Sequence, residues 1–257
     1  MAPRLVLLRL TPSDPVAAAQ SPIALVGKGI VFDSGGLNLK SDAGRGMKDD
    51  MSGSGAVLGA FQLLAGIAAK DTSLELKAPL IAALCLAENC IGPNSYRPDD
   101  IIAMHSGKTL EVEDTDAEGR LVVGDGCSYV ARELGARVVI DAATLTGHDF
   151  TGKTHAAVMS NSALLERRCI EAGLQSGEHV SLLRVLAVIN TFSCDPDAVL
   201  AQVAPMVWLP EAMSDALSSN VADMTNCESD DGHGMGSAVV RRIIGLANWS
   251  PMSRNCA

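Results

Sequence analysis

Strand-like and helix-like segments alternate over the first 175 residues of this chain, and no other feature of the sequence restricts the fold as strongly. Apolar runs of strand length lie at 5–10, 23–26, 77–87 and 138–142, and 30–32 extends the second run. Helices between successive strands bring those strands into one layer and cover its faces. We therefore expect an α/β fold with three layers, α/β/α, and a mixed, mostly parallel sheet.

Two segments place apolar residues at the spacing of a helix that packs one face on a sheet. The residues of the first segment are Val57, Phe61, Leu64 and Ala68. Those of the second are Val123, Cys127, Val130 and Leu134, after which Gly135 can end the helix. Between the two, the proline-rich stretch 91–100 predicts a surface loop, 101–104 a strand and 106–108 a tight turn. An acidic loop is expected at 113–120.

The acidic balance of the chain limits its partners. Twenty basic and thirty acidic side chains give a formal net charge of -10. This charge repels nucleic acid phosphates and anionic membrane surfaces, so we expect neither as a partner. The apolar run 5–8 is followed by Arg9 and is too short for a signal sequence or a membrane span, and we interpret no other stretch as a span.

The seven cysteines are odd in number, and no two of them form a CxxC pair. This pattern suggests neither a disulfide framework nor a zinc knuckle. We therefore expect a reducing compartment, and a cytoplasmic location for the protein.

Two polar loops follow predicted strands, where an α/β sheet presents its ligand-binding groups. The first, which begins in VGKGIVFDSGG, contains Lys28, Asp33, Lys40, Asp49 and Asp50. The second, DTDAEGRLVVGDG, contains Asp114, Asp116, Glu118, Arg120 and Asp125. Singly, such residues are more often turn formers or solvated charges. Together, the carboxylates would repel one another unless divalent ions neutralised them, and oxygen ligands favour Mg, Mn or Zn.

These loops resemble the two signatures of the leucine (cytosol) aminopeptidase family. VGKGIVFDSGG is similar to the first signature, and TDAEGRL matches the second without change. AENCIGPNSYRPDDII, SGKTLEVEDTDAEGR, IDAATLTG and the weaker SSNVADMTN are also similar, so that the resemblance covers 23–165 well. It implies a phosphorylase/hydrolase-like zinc-exopeptidase fold. It also implies hydrolysis of the N-terminal peptide bond of peptides, with release of apolar residues such as leucine.

The resemblance further implies two divalent metal ions, zinc or manganese, with magnesium or cobalt as alternatives. Their ligands would be Lys28, Asp33, Asp50, Asp116 and Glu118. Lys28 can bind a metal only as a neutral amine, a form that two adjacent dications favour. The segment between Lys40 and Asp50 is one residue shorter than the usual family spacing, so Asp49 remains an alternative to Asp50.

Catalytic and substrate-binding roles follow from the same resemblance. A metal-bound water would attack the peptide, Lys40 would stabilise the developing oxyanion, and Arg120 would hold a bicarbonate-like anion that shuttles a proton. Substrate-lining positions, for which ordinary packing is the alternative, are Met47, Asp114, Thr144, Leu145 and Gly147. Asp114 replaces the asparagine that opens the family signature. None of the five histidines falls in either loop, and none is assigned as a ligand.

We interpret 1–257 as a single catalytic domain, with a lead-in strand in 1–22 and several departures from the family. The stretch 182–204 is expected to be an insertion. The tail 246–257 stands where family members continue with an HLDIAG-like strand, and we expect that strand and the family's N-terminal domain to be missing. The hexamer of the family is therefore kept as an assembly to test for this chain. A second hypothesis follows: a catalytically weak or inactive relative that acts as a metal-binding or subunit-interaction module.

Overall fold

A computed structural model describes residues 2–70, 75–145 and 154–182, and the backbone of one further strand at 220–225. The strands within these residues are β1 (Arg4–Leu10), β2 (Ile23–Asp33), β3 (Leu80–Asn89), β4 (Ile101–Ala103), β5 (Thr109–Glu111), β6 (Val138–Ala143), β7 (Ala156–Ser160), β8 (Val180–Leu182) and β9 (Asn220–Thr225). The α-helices are α1 (Pro15–Ala18), α2 (Ser52–Lys70), α3 (Glu118–Arg132) and α4 (Ala163–Ser176). Two 3-10 turns, Met47–Asp49 and Thr115–Ala117, precede α2 and α3.

The main sheet has the strand order β1-β3-β2-β6-β9-β7-β8 within the described part of the chain. Strands β3, β2, β6 and β9 run parallel to one another, as do β7 and β8. The β1–β3 and β7–β9 pairs are antiparallel. The sheet is therefore mixed and mostly parallel, as the alternation of strands and helices predicted. Strands β4 and β5 form a separate hairpin closed at Gly107, where a tight turn was predicted.

Helices cover both faces of the main sheet, which gives the predicted α/β/α layers. One core joins α2 and α4 to side chains such as Leu25 and Ile140, whereas the other joins α3 to Val26 and Val139. Neighbouring residues of one strand thus enter opposite cores, because successive side chains of a strand point to opposite faces. Both faces are aliphatic, which explains the apolar runs of β2, β3 and β6, whereas the edge strand β1 is largely exposed.

Several element boundaries differ from the sequence-based predictions. Strand β2 is continuous through the gap left between 23–26 and 30–32. Strand β3 begins at Leu80 rather than at residue 77, since Pro79 has no N–H to donate to the ladder. Helix α3 begins at Glu118, inside the predicted acidic loop 113–120, because the turn Thr115–Ala117 leads directly into it.

The predicted insertion 182–204 lies outside the described residues except for Leu182, which ends β8. The atypical tail 246–257 lies wholly outside them.

By length and composition alone, residues 47–70 would also suit a membrane span, a candidate that the sequence analysis overlooked. In the structure α2 packs along β2, β3 and β6, and Val57, Ala60 and Leu64 are buried in the core that it shares with α4. Core helices of this kind pass the same length and composition test.

The start of α2 lies unusually close to the sheet. A Cβ atom on Gly53 would collide with the carbonyl oxygen of Ala142 in β6, and one on Gly27 would come within 2.5 Å of the Cα atom of Ser54. Only glycine fits at such a close approach of two backbones. This contact brings the turn before α2 beside the ends of β2 and β6.

We expect Gly53→Ala to lower the free energy of unfolding by about 2–3 kcal/mol, because its methyl group must push α2 away from β6. Gly59 of the same helix has open space around its Cα atom. Gly59→Ala is therefore expected to raise that free energy by about 0.5–1 kcal/mol through helix propensity. Urea unfolding of the two variants measures both effects, and equal midpoints would contradict the close approach described above.

Candidate metal centre

The carboxyl ends of β2, β3 and β6 meet at one edge of the sheet, since these strands are parallel and adjacent. Asp33 ends β2, Asn89 ends β3 and Thr144 follows β6. The turn that ends in Asp50 and the first residue of α3, Glu118, lie at the same edge. The fold therefore brings the two polar loops of the sequence together, as expected of an α/β sheet.

Three carboxylates form the centre of this cluster. Asp33, Asp116 and Glu118 each offer an oxygen, and these oxygens lie within 4.8 Å of one another. Asp33 and Glu118 are buried, whereas the Asp116 side chain is 33% exposed. A group of this kind suits a divalent cation, because water has little access to solvate the negative charges and a cation can neutralise them.

Lys28 lies beside this trio in the buried interior. Its Nζ atom donates to Asp50 Oδ1 and to the Thr144 carbonyl oxygen, both at 2.7 Å, and lies 3.4 Å from Glu118 Oε1. Thr144 Oγ1 also donates to Asp50 Oδ1, at 2.9 Å. Asp50 is buried whereas Asp49 is exposed, so the geometry favours Asp50 over its neighbour as the partner of Lys28.

Lys40 closes the outer side of the cluster. Its Nζ atom lies 3.0 Å from Asp33 Oδ2 and 2.7 Å from Asp116 Oδ1. Burial opposes the charge on this ammonium, but hydrogen bonds to Asp116 and Asp33 outweigh burial and raise the pKa of Lys40. Lys40 therefore carries its charge at any physiological pH.

Glu118, Asp50 and Asp116 hold their protons more tightly than carboxyl groups usually do. Burial raises the pKa of Glu118 to about 7, with Lys28 acting against the shift and Asp33 and Asp50 adding to it. Burial also raises the pKa values of Asp50 and Asp116, against the attraction of the adjacent lysines. The two lysines thus do not compensate for the burial of these three carboxylates.

The buried oxygens Asp50 Oδ2 and Glu118 Oε1 accept no hydrogen bond, and only the Lys28 ammonium, at 3.4 Å, lies near Glu118 Oε1 as an ion-pair partner. Such oxygens are costly inside a protein unless a cation approaches them. The group therefore fits divalent ions that accept oxygen and amine ligands, a class that includes zinc, manganese and magnesium.

Arg120 lies in the first turn of α3, two residues after Glu118. Its Nε atom is buried and has no hydrogen-bond acceptor. Burial lowers the pKa of Arg120, while Glu118, Asp114 and Tyr96 act to raise it. A buried guanidinium donor without an acceptor is chemically suited to a small anion.

Neutral side chains link the two loops, and the sequence analysis assigned none of them. Thr115 Oγ1 donates to the Gly35 carbonyl oxygen at 2.7 Å and accepts from the backbone N–H of Asn38 at 2.8 Å. Asn38 Oδ1 accepts from the Thr115 amide at 3.0 Å. Tyr96 donates from its hydroxyl to the Thr115 carbonyl. Asn89, at the end of β3, is a further neutral residue of this group. The sequence signal that could have identified it is a polar residue at the end of an apolar strand.

The remaining predicted substrate-lining residues have ordinary local roles in the structure. Asp114 is exposed, and its carboxylate accepts from the Asp116 amide at 2.8 Å as the cap of the turn before α3. Met47 is half-buried at the start of the turn before α2. Leu145 packs against the core that α3 covers. Gly147 lies outside the described residues.

Comparison with known sequences reproduces the resemblance found in the two signatures. The catalytic domain of the cytosol aminopeptidase family matches residues 1–191. A mouse protein (Mus musculus) named probable aminopeptidase NPEPL1 is 43% identical over 231 residues, which cover 89% of this chain and 38% of that protein. Leucine aminopeptidase 1 of Caenorhabditis elegans is 38% identical over 236 residues, 91% of this chain and 42% of that protein. The chain thus spans about two fifths of the length of these relatives.

Solved structures give the same result. The leucyl aminopeptidase of Leishmania major, in complex with actinonin, superimposes with a TM-score of 0.79 at 34% identity, over 95% of this chain and 49% of that one. The leucyl aminopeptidase of Trypanosoma brucei, in complex with bestatin, gives 0.78 at 35% identity, over 94% and 48%.

The raised pKa of Glu118 predicts a pH dependence of the metal-free protein. A carboxyl whose pKa rises from 4.5 when unfolded to about 7 when folded stabilises the fold below pH 4.5, and this stability is lost as the pH rises through 7. Between pH 5 and pH 8 the chelator-treated protein should lose on the order of 2–3 kcal/mol relative to Glu118→Gln. Urea unfolding at the two pH values measures this difference. The exposed Glu113, changed to Gln, serves as the control, and parallel pH profiles for Glu118→Gln and the unchanged protein would contradict the shift.

Proposed function

The chain belongs to the cytosol aminopeptidase family, and we propose that it is a two-metal aminopeptidase that hydrolyses the N-terminal peptide bond of peptides. One observation carries the proposal. Asp33, Asp116 and Glu118 form a largely buried carboxylate trio flanked by two lysines, at the sheet edge where α/β enzymes bind their ligands.

The proposed metals are two zinc or manganese ions, with magnesium or cobalt as alternatives. Their proposed ligands are Lys28, Asp33, Asp50, Asp116 and Glu118. When bound, the two ions would supply Lewis acidity toward the scissile carbonyl and toward the attacking water. The orphan oxygens of Asp50 and Glu118 support this assignment, because both belong to the proposed ligand set.

The protein's own groups would complete the chemistry. Lys40 retains its proton and can hold the negative charge that develops on the carbonyl oxygen of the peptide. Asp50 and the Thr144 carbonyl converge on Lys28, where they can also orient the free amine of a peptide N-terminus. Recognition of that amine would restrict cleavage to the first residue.

Arg120 is the proposed holder of a bicarbonate-like anion. Its buried Nε atom lacks an acceptor, and an anion there would satisfy it. Such an anion would supply a proton acceptor beside the reacting water, and Arg120 would hold that acceptor in place.

The substrate preference is proposed from the relatives. Their names include leucine aminopeptidase and leucyl aminopeptidase, which favours release of apolar residues such as leucine. Met47, Asp114, Thr144, Leu145 and Gly147 remain the proposed substrate-lining positions.

A relative from Methylorubrum extorquens, 42% identical over 181 residues, is named probable cytosol aminopeptidase. We propose a cytoplasmic location for this chain and keep the family hexamer as the assembly to test.

We expect hydrolysis of leucyl-arylamide by the purified chain with added manganese, zinc or cobalt, and its loss on addition of a chelator. Asp116→Asn and Glu118→Gln should each lower kcat/KM by about 1,000-fold or more, because a lost ligand removes several kcal/mol of transition-state stabilisation. Glu113→Gln, which changes an exposed carboxylate of the same loop, should retain full activity.

A mutant of Asp116 or Glu118 with full activity would refute the site assignment. Folded protein that binds two metal ions but releases no product would favour the alternative, an inactive metal-binding or subunit-interaction relative.

Lys40→Gln should lower kcat by about 100- to 1,000-fold with little change in KM, because the lost charge acts on the oxyanion rather than on the bound substrate. Lys77→Gln removes an exposed ammonium that pairs with Glu75, and it should leave both constants unchanged. Steady-state kinetics separates kcat from KM. An increase in KM alone would show that Lys40 binds substrate instead.

A further inference from the structure

Asn89 is a neutral residue that lies where the two carboxylate-bearing loops meet. It is the last residue of β3 and is 5% exposed. Its partner in the parallel ladder is Asp33, after an irregularity in β2 between Ile30 and Asp33. That irregularity sets Asp33 beside the end of β3.

The side-chain amide of Asn89 reaches both loops at once. Its Nδ2 atom donates to Asp33 Oδ1 at 2.8 Å and to Glu118 Oε2 at 3.0 Å. It also lies 2.9 Å from the Thr115 carbonyl oxygen, which shares one of the two N–H groups. One neutral group therefore contacts two of the carboxylates proposed to bind metal.

These bonds divide the oxygens of each carboxylate into two kinds. Asp33 Oδ1 receives the amide of Asn89 and the backbone N–H of Gly35, whereas Oδ2 lies 3.0 Å from the Lys40 ammonium. Glu118 follows the same pattern, since Oε2 receives Asn89 while Oε1 lies 3.4 Å from the Lys28 ammonium and has no hydrogen bond. In both carboxylates the amide occupies one oxygen, and the other faces a cation.

We infer that Asn89 is a positioning residue of the metal centre, whose amide fixes the rotation of the Asp33 and Glu118 carboxylates so that Asp33 Oδ2 and Glu118 Oε1 are presented to cations. The inference rests on the proposed function, because it concerns the same proposed ligands. Groups that hold metal ligands from behind in this way commonly change metal affinity 10- to 100-fold when removed.

The chemistry of an amide explains why this side chain suits the position. A carboxylate there would add a further negative charge to a buried acidic cluster. A lysine or arginine would bring a fixed cation that competes with the metals. An aliphatic side chain would remove one donor from Glu118 Oε2 and one of the two donors from Asp33 Oδ1. Asparagine donates two N–H groups without charge, and at the end of β3 it is short enough to fit between Asp33 and Glu118.

The test is titration of the chelator-treated 257-residue chain with Co²⁺ alone, monitored by calorimetry and by the visible absorption of the bound ion. Asn89→Ala should raise the Co²⁺ dissociation constant by about 10- to 100-fold and change the absorption bands, because the two carboxylates become free to rotate. Asn89→Ser, whose hydroxyl is too short to reach both carboxylates, should behave in the same way. It decides the result if the alanine variant does not fold.

The matched control is Ser128→Ala. Ser128 is also buried and hydrogen-bonded, 2.9 Å from His105 Nδ1, but it contacts no proposed ligand. This variant should bind Co²⁺ as the unchanged protein does, with the same absorption bands.

Two outcomes would overturn the inference, and they are distinguishable. Wild-type affinity and bands in the Asn89 variants, with Co²⁺ bound by the unchanged protein, would remove the role of Asn89 and leave the proposed function standing. Absence of Co²⁺ binding by the unchanged protein would overturn the proposed function and this inference with it.

Discussion

Repulsion among buried carboxylates is the constraint on which the rest of this site depends. Asp33, Asp50 and Glu118 are buried close together, with Asp116 at the rim. Lys28 and Lys40 each bridge two carboxylates, which lowers the cost of collecting these charges. Burial raises the pKa of Glu118, with smaller contributions from Asp33 and Asp50, and Lys28 does not offset this shift. A cluster that its own lysines leave under-neutralised retains an affinity for further cations, which is the property a metal centre requires.

The architecture keeps this cluster in place through contacts that carry no charge. The glycine-mediated approach of α2 to β6 holds the turn that bears Asp50. The paired bonds between Thr115 and Asn38 join the loop after β2 to the turn before α3. Backbone and neutral hydrogen bonds do not weaken as the cluster loses or gains protons. They can therefore maintain the geometry whether or not the carboxylates are neutralised.

Much of the fold was predictable because apolar periodicity is a local signal. The runs that became β2 and β6, and the spacing of Val57 and Leu64 in α2, depend only on which face each residue buries. The predicted start of α3 was wrong because the acidic residues of the turn before it and of its own first turn are typical of a loop in sequence. The charged residues proposed for the site stood out as paired signatures. Asn89 did not, because its importance comes from three acceptors that each lie at least 26 residues away from it in the chain.

The replacement of the family's asparagine by Asp114 illustrates how a local contact can tolerate a change of charge. In the structure this residue needs only an acceptor, since its Oδ1 receives the Asp116 amide and caps the turn before α3. Either an amide or a carboxylate oxygen can supply that bond. The added negative charge is exposed, so water screens it, whereas the same charge at Asn89 would be buried against Asp33 and Glu118. The exposed position 114 can therefore accept an aspartate, whereas the buried position 89 cannot, and burial is what separates the two.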